Sequence, residues 1–421
     1  MSIKQRDKNH IWHPLTQHKL HPETMAITKA KDCMLYDEDG NEYIDAIASW
    51  YSSMYGHCND FVTSRVYKQM QQLDHVVFAG FTHEPAVKLS EELIKILPEN
   101  QEKIFFGDNG STSVEIGIKM ALQYHFNKGN KRNTLIAFQE SFHGDTFGAM
   151  SVSGLSVYNG PFEDLFLDVK RIPTPNGNNH EQILETLKEI VKNNAVAGFI
   201  YEPLVQGAAA MKMHDPKGLD QILKFCKENN IVTVADEVMT GFGKTGSNFA
   251  SDFMETKPDV ICMSKALTAG LVPMSITACT QKIYDAFYSD DIGKGLFHCH
   301  TYSANPIACA AALAGLELLQ STQIQKKISS ITAKHKAFGE HIKNHKKVKS
   351  IRQQGIIFAL DLNVEMERYG DLRYKLFNFF MANGVFLRPL GETIYIQAPY
   401  TITNAQLDKI YTVIENALEI V

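Results

Sequence analysis

A chain of 421 residues with 44% hydrophobic content has enough apolar mass to fill the cores of two or three subdomains. Its net charge of -5, with Lys and Arg dispersed, provides no basic face for nucleic acid, and no stretch has the apolar length that crosses a bilayer. Seven cysteines without C-x-x-C spacing read as reduced thiols, and the polar opening from Met1 to Lys8 lacks a secretory apolar core, so a cytoplasmic location is expected.

In chain order, Met34 to Ile44 reads as a hairpin turning at Gly40-Asn41. Short apolar runs then alternate with helical stretches. Phe105-Phe106, Thr134 to Phe138, Ala197 to Tyr201, Ile231 to Ala235, Val260 to Ser264 and Ser275 to Cys279 suit buried strands. Ser113 to Phe126 and Leu219 to Asn229 suit helices between them, so the spacing predicts an α/β fold with a mostly parallel central sheet. Asn305-Pro306 opens a long helix to Leu319 that leads into a smaller α+β region. There Ile356 to Leu362 and Val385 to Arg388 read as strands, and Leu372 to Ala382 and Asn404 to Leu418 as helices. The expected division is an N-terminal segment, 1–55, that belongs to the small domain, a large domain, 56–310, and a C-terminal small domain, 311–421.

Loops after parallel strands open on one sheet edge, where side chains from several strands converge on a ligand. Asp236-Glu237 ends one apolar run and Lys265 follows the next. A lysine amine that forms an imine with an aldehyde, and an aspartate that keeps a pyridine nitrogen protonated, are what pyridoxal phosphate needs to act as an electron sink. Carboxylates and lysines also end buried strands as plain caps. Asp108 to Ser113, with Thr112 and Glu115 at capping-box spacing, offers free N–H groups and hydroxyls to a phosphate at a helix start, or simply caps it. Thr301 offers another hydroxyl before a helix. Phe142, after the strand ending at Phe138, can stack on a flat ring or fill a core, and Trp50-Tyr51 can wall a pocket or simply pack. Arg388 can grip a carboxylate bidentately or lie on the surface.

Gly241 to Gly246 matches G-x-G-x-x-G, but it stands apart from its strand and lacks a following helical stripe. Val238 occupies the place of a P-loop's first glycine, so the segment reads as a glycine-rich loop beside the site. His298-Cys299-His300 is metal-like in composition only, because consecutive residues of an extended chain face opposite ways, and no metal is expected.

Taken together and in this order, these residues resemble the class III, fold-type I pyridoxal phosphate aminotransferases. The resemblance runs from His10-Ile11-Trp12-His13-Pro14 through Ser49-Trp50-Tyr51, Gly110-Ser111, His143 to Ser151, Asp236-Glu237, Ser264-Lys265-Ala266 and Asn305-Pro306 to Arg388-Pro389 and Tyr395. Within the family it is nearest to the branch that converts 8-amino-7-oxononanoate to 7,8-diaminononanoate in biotin synthesis. The resemblance implies that Lys265 and Asp236 are catalytic, and that Gly110, Ser111, Phe142 and Thr301 bind pyridoxal 5'-phosphate, Thr301 reaching in from a second subunit of a homodimer. It places Trp50, Tyr51, Phe142, Lys265, His300, Arg388 and Tyr395 with the substrates. S-adenosylmethionine is the family's usual donor, and lysine is the alternative. Leu15, Phe142, Lys244 and Tyr51 depart from the aromatic, tyrosine, arginine and tryptophan usual at those places. Another class III aminotransferase, or a non-enzymatic binding protein without an imine-forming lysine, are the rival readings.

Overall fold

A computed structural model describes residues 2–20, 24–154, 156, 159–368 and 370–421. Near the N-terminus β1 (Ile27–Lys31), β2 (Met34–Asp37) and β3 (Glu42–Asp45) form an antiparallel meander, and its β2–β3 turn uses Gly40 at φ +85° as the spacing predicted. The central sheet contains β4 (Lys103–Gly107), β5 (Thr134–Phe138), β6 (Val169–Ile172) and β7 (Val196–Tyr201). A small ribbon of β8 (Val205–Gln206) and β9 (Lys212–Met213) follows, and then β10 (Val232–Asp236), β11 (Val260–Met263) and β12 (Ser275–Cys279) complete the sheet. Its order is β4-β12-β11-β10-β7-β5-β6.

Every neighbouring pair in this sheet is parallel except those that β12 makes with β11 and β4. The connection of residues 264–274 is shorter than the dozen or so residues a parallel crossover needs, so β12 returns antiparallel. The central strands β5, β7, β10, β11 and β12 are buried along their whole length, which explains their continuous apolar runs. Helix Gly110–Asn127 lies across the sheet, and Gly117 lets it approach closely, since a Cβ there would stand 2.9 Å from Val234.

Toward the C-terminus β13 (Val348–Gln354), β14 (Ile357–Leu362), β15 (Val385–Phe386) and β16 (Thr393–Ile396) alternate with helices Asp371–Ala382 and Asn404–Leu418. β13, β14 and β16 form an antiparallel sheet, whereas β15 pairs in parallel with β3, Phe386 opposite Asp45. The two ends of the chain are thus tied in one sheet. The helix Pro306–Gln320 is continuous across residues 310 and 311 and packs on helices Asp60–Gln72 and Glu84–Ile96. Among the described residues no single helix is long and apolar enough to cross a membrane.

Candidate active site

The register Asp236↔Cys262 sets the ends of β10 and β11 side by side, and Lys265 follows three residues later on the same sheet edge. Lys265 is half-buried with φ +51°, a left-handed backbone that aims its side chain out of the strand line. Burial pushes its amine below the ordinary 10.5, while Asp236 and Glu202 pull it back up. Its Nζ lies 5.0 Å from the centre of the Tyr51 ring.

Asp236 is buried, and both of its oxygens are engaged. Oδ2 accepts from Nδ1 of His143 at 2.7 Å, and Oδ1 accepts from the Val238 backbone N–H at 3.0 Å. An ionised carboxylate can only accept, so Nδ1 of His143 carries the proton of that bond. His143 is itself fixed by its backbone N–H, which donates to Ser153 Oγ at 2.9 Å. A second buried carboxylate, Glu202, follows β7 and accepts from the backbone N–H groups of Phe142 at 3.1 Å and Gly207 at 3.0 Å. Burial pushes Glu202 up to about 7, against the pull of His143.

At the start of helix Gly110–Asn127 the structure corrects the expected cap. The capping box pairs Asn109 with Thr112, not Thr112 with Glu115. Glu115 instead accepts from Thr146 and from the N–H groups of Gly148 and Ala149, holding the next helix, Phe147–Val152. The helix N-terminus opens beside Gly144, at φ +130°, where any Cβ would collide with Ser111 Oγ at 2.0 Å. A Cβ on Gly110 would press on Val238 at 2.9 Å. Close packing therefore excludes a side chain at both positions, one of them against Val238, two residues past Asp236.

Tyr51 is buried and its ring lies 5.9 Å from that of Tyr395, while Trp50 remains 45% exposed with the Arg388 guanidinium 5.3 Å from its ring. Arg388 is half-buried. Burial pushes Tyr395 up to about 12, so it stays a neutral phenol at ordinary pH. Ala48, Ser49, Trp50 and Tyr51 all have φ between +45° and +71°, a left-handed turn costing about 1–2 kcal/mol per residue. Phe142 is 44% exposed at the same edge, its backbone held by Glu202. Thr301 is exposed on the loop before helix Pro306–Gln320, and the neighbouring His300 lies 2.8 Å from His298 and 3.9 Å from Asp108. Among the described residues no three His, Cys, Asp or Glu side chains are grouped to hold a metal.

Sequence reasoning missed three features. Glu202 stands one residue past a strand, the position that singled out Asp236. His143 was visible only as part of a motif. Lys244, in the glycine-rich loop, is wholly buried and donates to the Gly241 carbonyl at 2.8 Å, and burial pushes its amine down to about 7.

Residues 16–418 match the family described as Aminotransferase class-III. The adenosylmethionine-8-amino-7-oxononanoate aminotransferase of Synechococcus elongatus is 40% identical, over 97% of this chain and 98% of its own. That of Staphylococcus aureus is 33% identical, over 99% and 97%. The crystal structure of the same-named enzyme from Methanocaldococcus jannaschii superposes with a TM-score of 0.94 at 29% identity, covering 99% of this chain and 98% of that one. A PLP-bound amine transaminase from an uncultivated Pseudomonas species gives 0.91 at 25% identity, over 97% and 98%.

Proposed function

This chain belongs to the class-III aminotransferases, and from that premise we propose that it transfers an amino group to 8-amino-7-oxononanoate, giving 7,8-diaminononanoate in biotin biosynthesis, with S-adenosylmethionine as donor. The observation that carries the reading is the arrangement around Lys265: its Nζ lies 5.0 Å from the Tyr51 ring, its amine feels the charge of Asp236, which His143 holds, and the guanidinium of Arg388 stands over the neighbouring Trp50.

The residues fit the family's cofactor. The helix N-terminus at Gly110-Ser111, with Gly144 kept bare against it, suits a phosphate; the buried Asp236 suits a protonated pyridine; and the Lys265 amine suits an aldehyde. When bound, pyridoxal 5'-phosphate supplies an electron-withdrawing ring for the carbon that gains or loses the amino group. Asp236 would hold the proton on the ring nitrogen, and His143 fixes that carboxylate's direction. Burial lowers the amine of Lys265, which favours Nζ taking a proton from one carbon and returning it to another. Glu202 holds the backbone of Phe142, whose ring would stack on the cofactor. Trp50, Tyr51 and Tyr395 wall the acceptor's apolar chain, and Arg388 binds its terminal carboxylate. His300 lines the approach beside the phosphate end.

Thr301 reaches the phosphate of a second copy in this reading, and the protein works as a homodimer with shared sites. Tyr288, Ile292, Phe297 and Tyr302, large apolar side chains exposed around that loop, support burial against another copy. The division into 1–55 with 311–421 and 56–310, and a cytoplasmic location, belong to the same proposal. The test supplies the purified holoenzyme with 8-amino-7-oxononanoate and either S-adenosylmethionine or lysine and follows product mass. A mass gain matching 7,8-diaminononanoate with S-adenosylmethionine is expected. Product with lysine alone would replace the donor, and no product with any donor would overturn the acceptor.

A further inference from the structure

We propose that Asp45, Ser49 and His57 form a clasp that sets Trp50 against Arg388 and so tunes how the acceptor's terminal carboxylate is held; this rests on the acceptor-pocket reading above. Asp45 is completely buried at the end of β3. Its Oδ2 accepts from Ser49 Oγ at 2.8 Å and from Nε2 of His57 at 2.8 Å, and its Oδ1 from the Ile47 N–H at 3.2 Å. Ser49 Oγ also lies 3.4 Å from His57 Nε2, so the three side chains close on one another.

The clasp has two anchors outside the turn. His57 exchanges backbone hydrogen bonds with Asp32, at 2.7 and 3.0 Å, at the corner between β1 and β2. Asp45 lies opposite Phe386 in the parallel β3–β15 pair, two residues before Arg388, and the Ala46 N–H donates to the Phe386 carbonyl at 3.2 Å. One carboxylate thus reaches Trp50 through its neighbour Ser49, and Arg388 through strand register.

The device is needed because the turn it holds is strained. Ser49 and Trp50 sit at φ/ψ of 45°/54° and 71°/46°, with no glycine among Ala48 to Tyr51. Backbone bonds from Tyr51 to Ile47, and from Ser52 and Ser53 to Ala48, close this turn, but they leave the side-chain direction of exposed Trp50 unfixed. The Asp45–Ser49 bond, one residue away, holds the backbone from which Trp50 projects toward Arg388. None of the three clasp residues touches Lys265 or Asp236, so they act as positioning residues.

The test uses holoenzyme carrying Trp12→Phe, which leaves Trp50 as the sole tryptophan of the chain's two. In this background His57→Phe removes the N–H donor, His57→Gln keeps an N–H near the place of Nε2, and Ser49→Ala removes the hydroxyl alone. Trp50 emission and its quenching by acrylamide are read without substrate, and the acceptor and donor half-reactions are then measured separately. His57→Phe and Ser49→Ala are expected to shift Trp50 emission and raise the acceptor KM about tenfold, with kcat changed less than about threefold and the donor half-reaction unaltered. His57→Gln is expected to restore both readouts. Unchanged Trp50 emission in His57→Phe, or an equal loss in both half-reactions, would overturn the clasp. If His57→Phe does not fold, Ser49→Ala decides by the same two readouts. Failure of the parent protein to aminate the oxononanoate would remove the acceptor reading, while the emission arm still decides whether the clasp sets Trp50.

Discussion

Replacing Lys244 by Met isolates the cost of holding an amine in a dry interior. Lys244 is fully buried, with a single hydrogen bond to the Gly241 carbonyl, and burial pushes it down to about 7 from its ordinary 10.5, the Lys265 charge adding to the effect and Glu237 opposing it. Because the folded value is depressed, the unfolded chain binds more protons between pH 7 and 10.5, and this group's contribution to stability rises with pH across that window. Below pH 7 its destabilisation is complete, and above 10.5 it is gone. A shift of that size corresponds to about 4 kcal/mol at pH 7, falling to about 1 kcal/mol by pH 9.5. Met matches the side chain's length without its charge and forfeits one hydrogen bond, worth about 1 kcal/mol. In urea denaturation of the cofactor-free protein, Lys244→Met is therefore expected to be more stable than the parent at pH 7, with an advantage that shrinks by about 3 kcal/mol on going to pH 9.5. A stability difference that does not change with pH would show that the amine is not held neutral and would refute the argument.

Lys265→Ala is expected to retain cofactor through the phosphate cradle yet show no measurable turnover; wild-type rates without added amines would remove Lys265 from its role. Asp236→Asn, which keeps an acceptor for His143 but drops the charge, is expected to lose about 100-fold or more in both half-reactions while still binding cofactor, and full rates with cofactor bound would sink that assignment. Glu202→Gln can satisfy only one of the two N–H groups now shared, so either the loop at Phe142 or the turn at Gly207 should loosen by about 1–3 kcal/mol, read as faster amide exchange at one of these two groups; unchanged exchange at both would count against it. Arg388→Ala should raise the acceptor constant about 10- to 100-fold and spare the donor half-reaction, and an unchanged acceptor constant would show that the guanidinium does not bind the acceptor.

The strands were legible wherever burial is complete. Thr134–Phe138 and Ser275–Cys279 coincide with continuous apolar runs, and helix Asn404–Leu418 with its periodic stripe. Boundaries moved where side chains, not hydrophobicity, set them. The run expected to continue to Ser264 stops at Met263, and the Ser264 hydroxyl turns to the Met274 carbonyl. The helix expected from Ser113 begins at Gly110, because Asn109 and Thr112 cap it earlier. The order of the sheet was hidden, since pattern alone does not say that β12 inserts between β4 and β11.

The same distinction explains what was read of the site. Asp236 and Lys265 are legible because strand ends in a parallel sheet face one edge whatever surrounds them. The pocket wall is not, because the usual sequence sign of positive φ is glycine, and the turn from Ala48 to Tyr51 contains none. Its conformation follows from side-chain partners on both sides of it, near in the chain for Asp45 with His57 and far away for Tyr395 against Tyr51 and for β15, which delivers Arg388 beside Trp50. A strained turn persists only where such contacts over-determine it, and here they do so in a way that buries Tyr51 while leaving its neighbour Trp50 open. The Tyr51 ring thereby lies 5.0 Å from the Lys265 Nζ, and the Trp50 ring 5.3 Å from the Arg388 guanidinium. The strain is thus the means by which one short segment contributes two aromatic walls, and replacing Ser49 or His57 should relax that geometry before it affects the lysine chemistry.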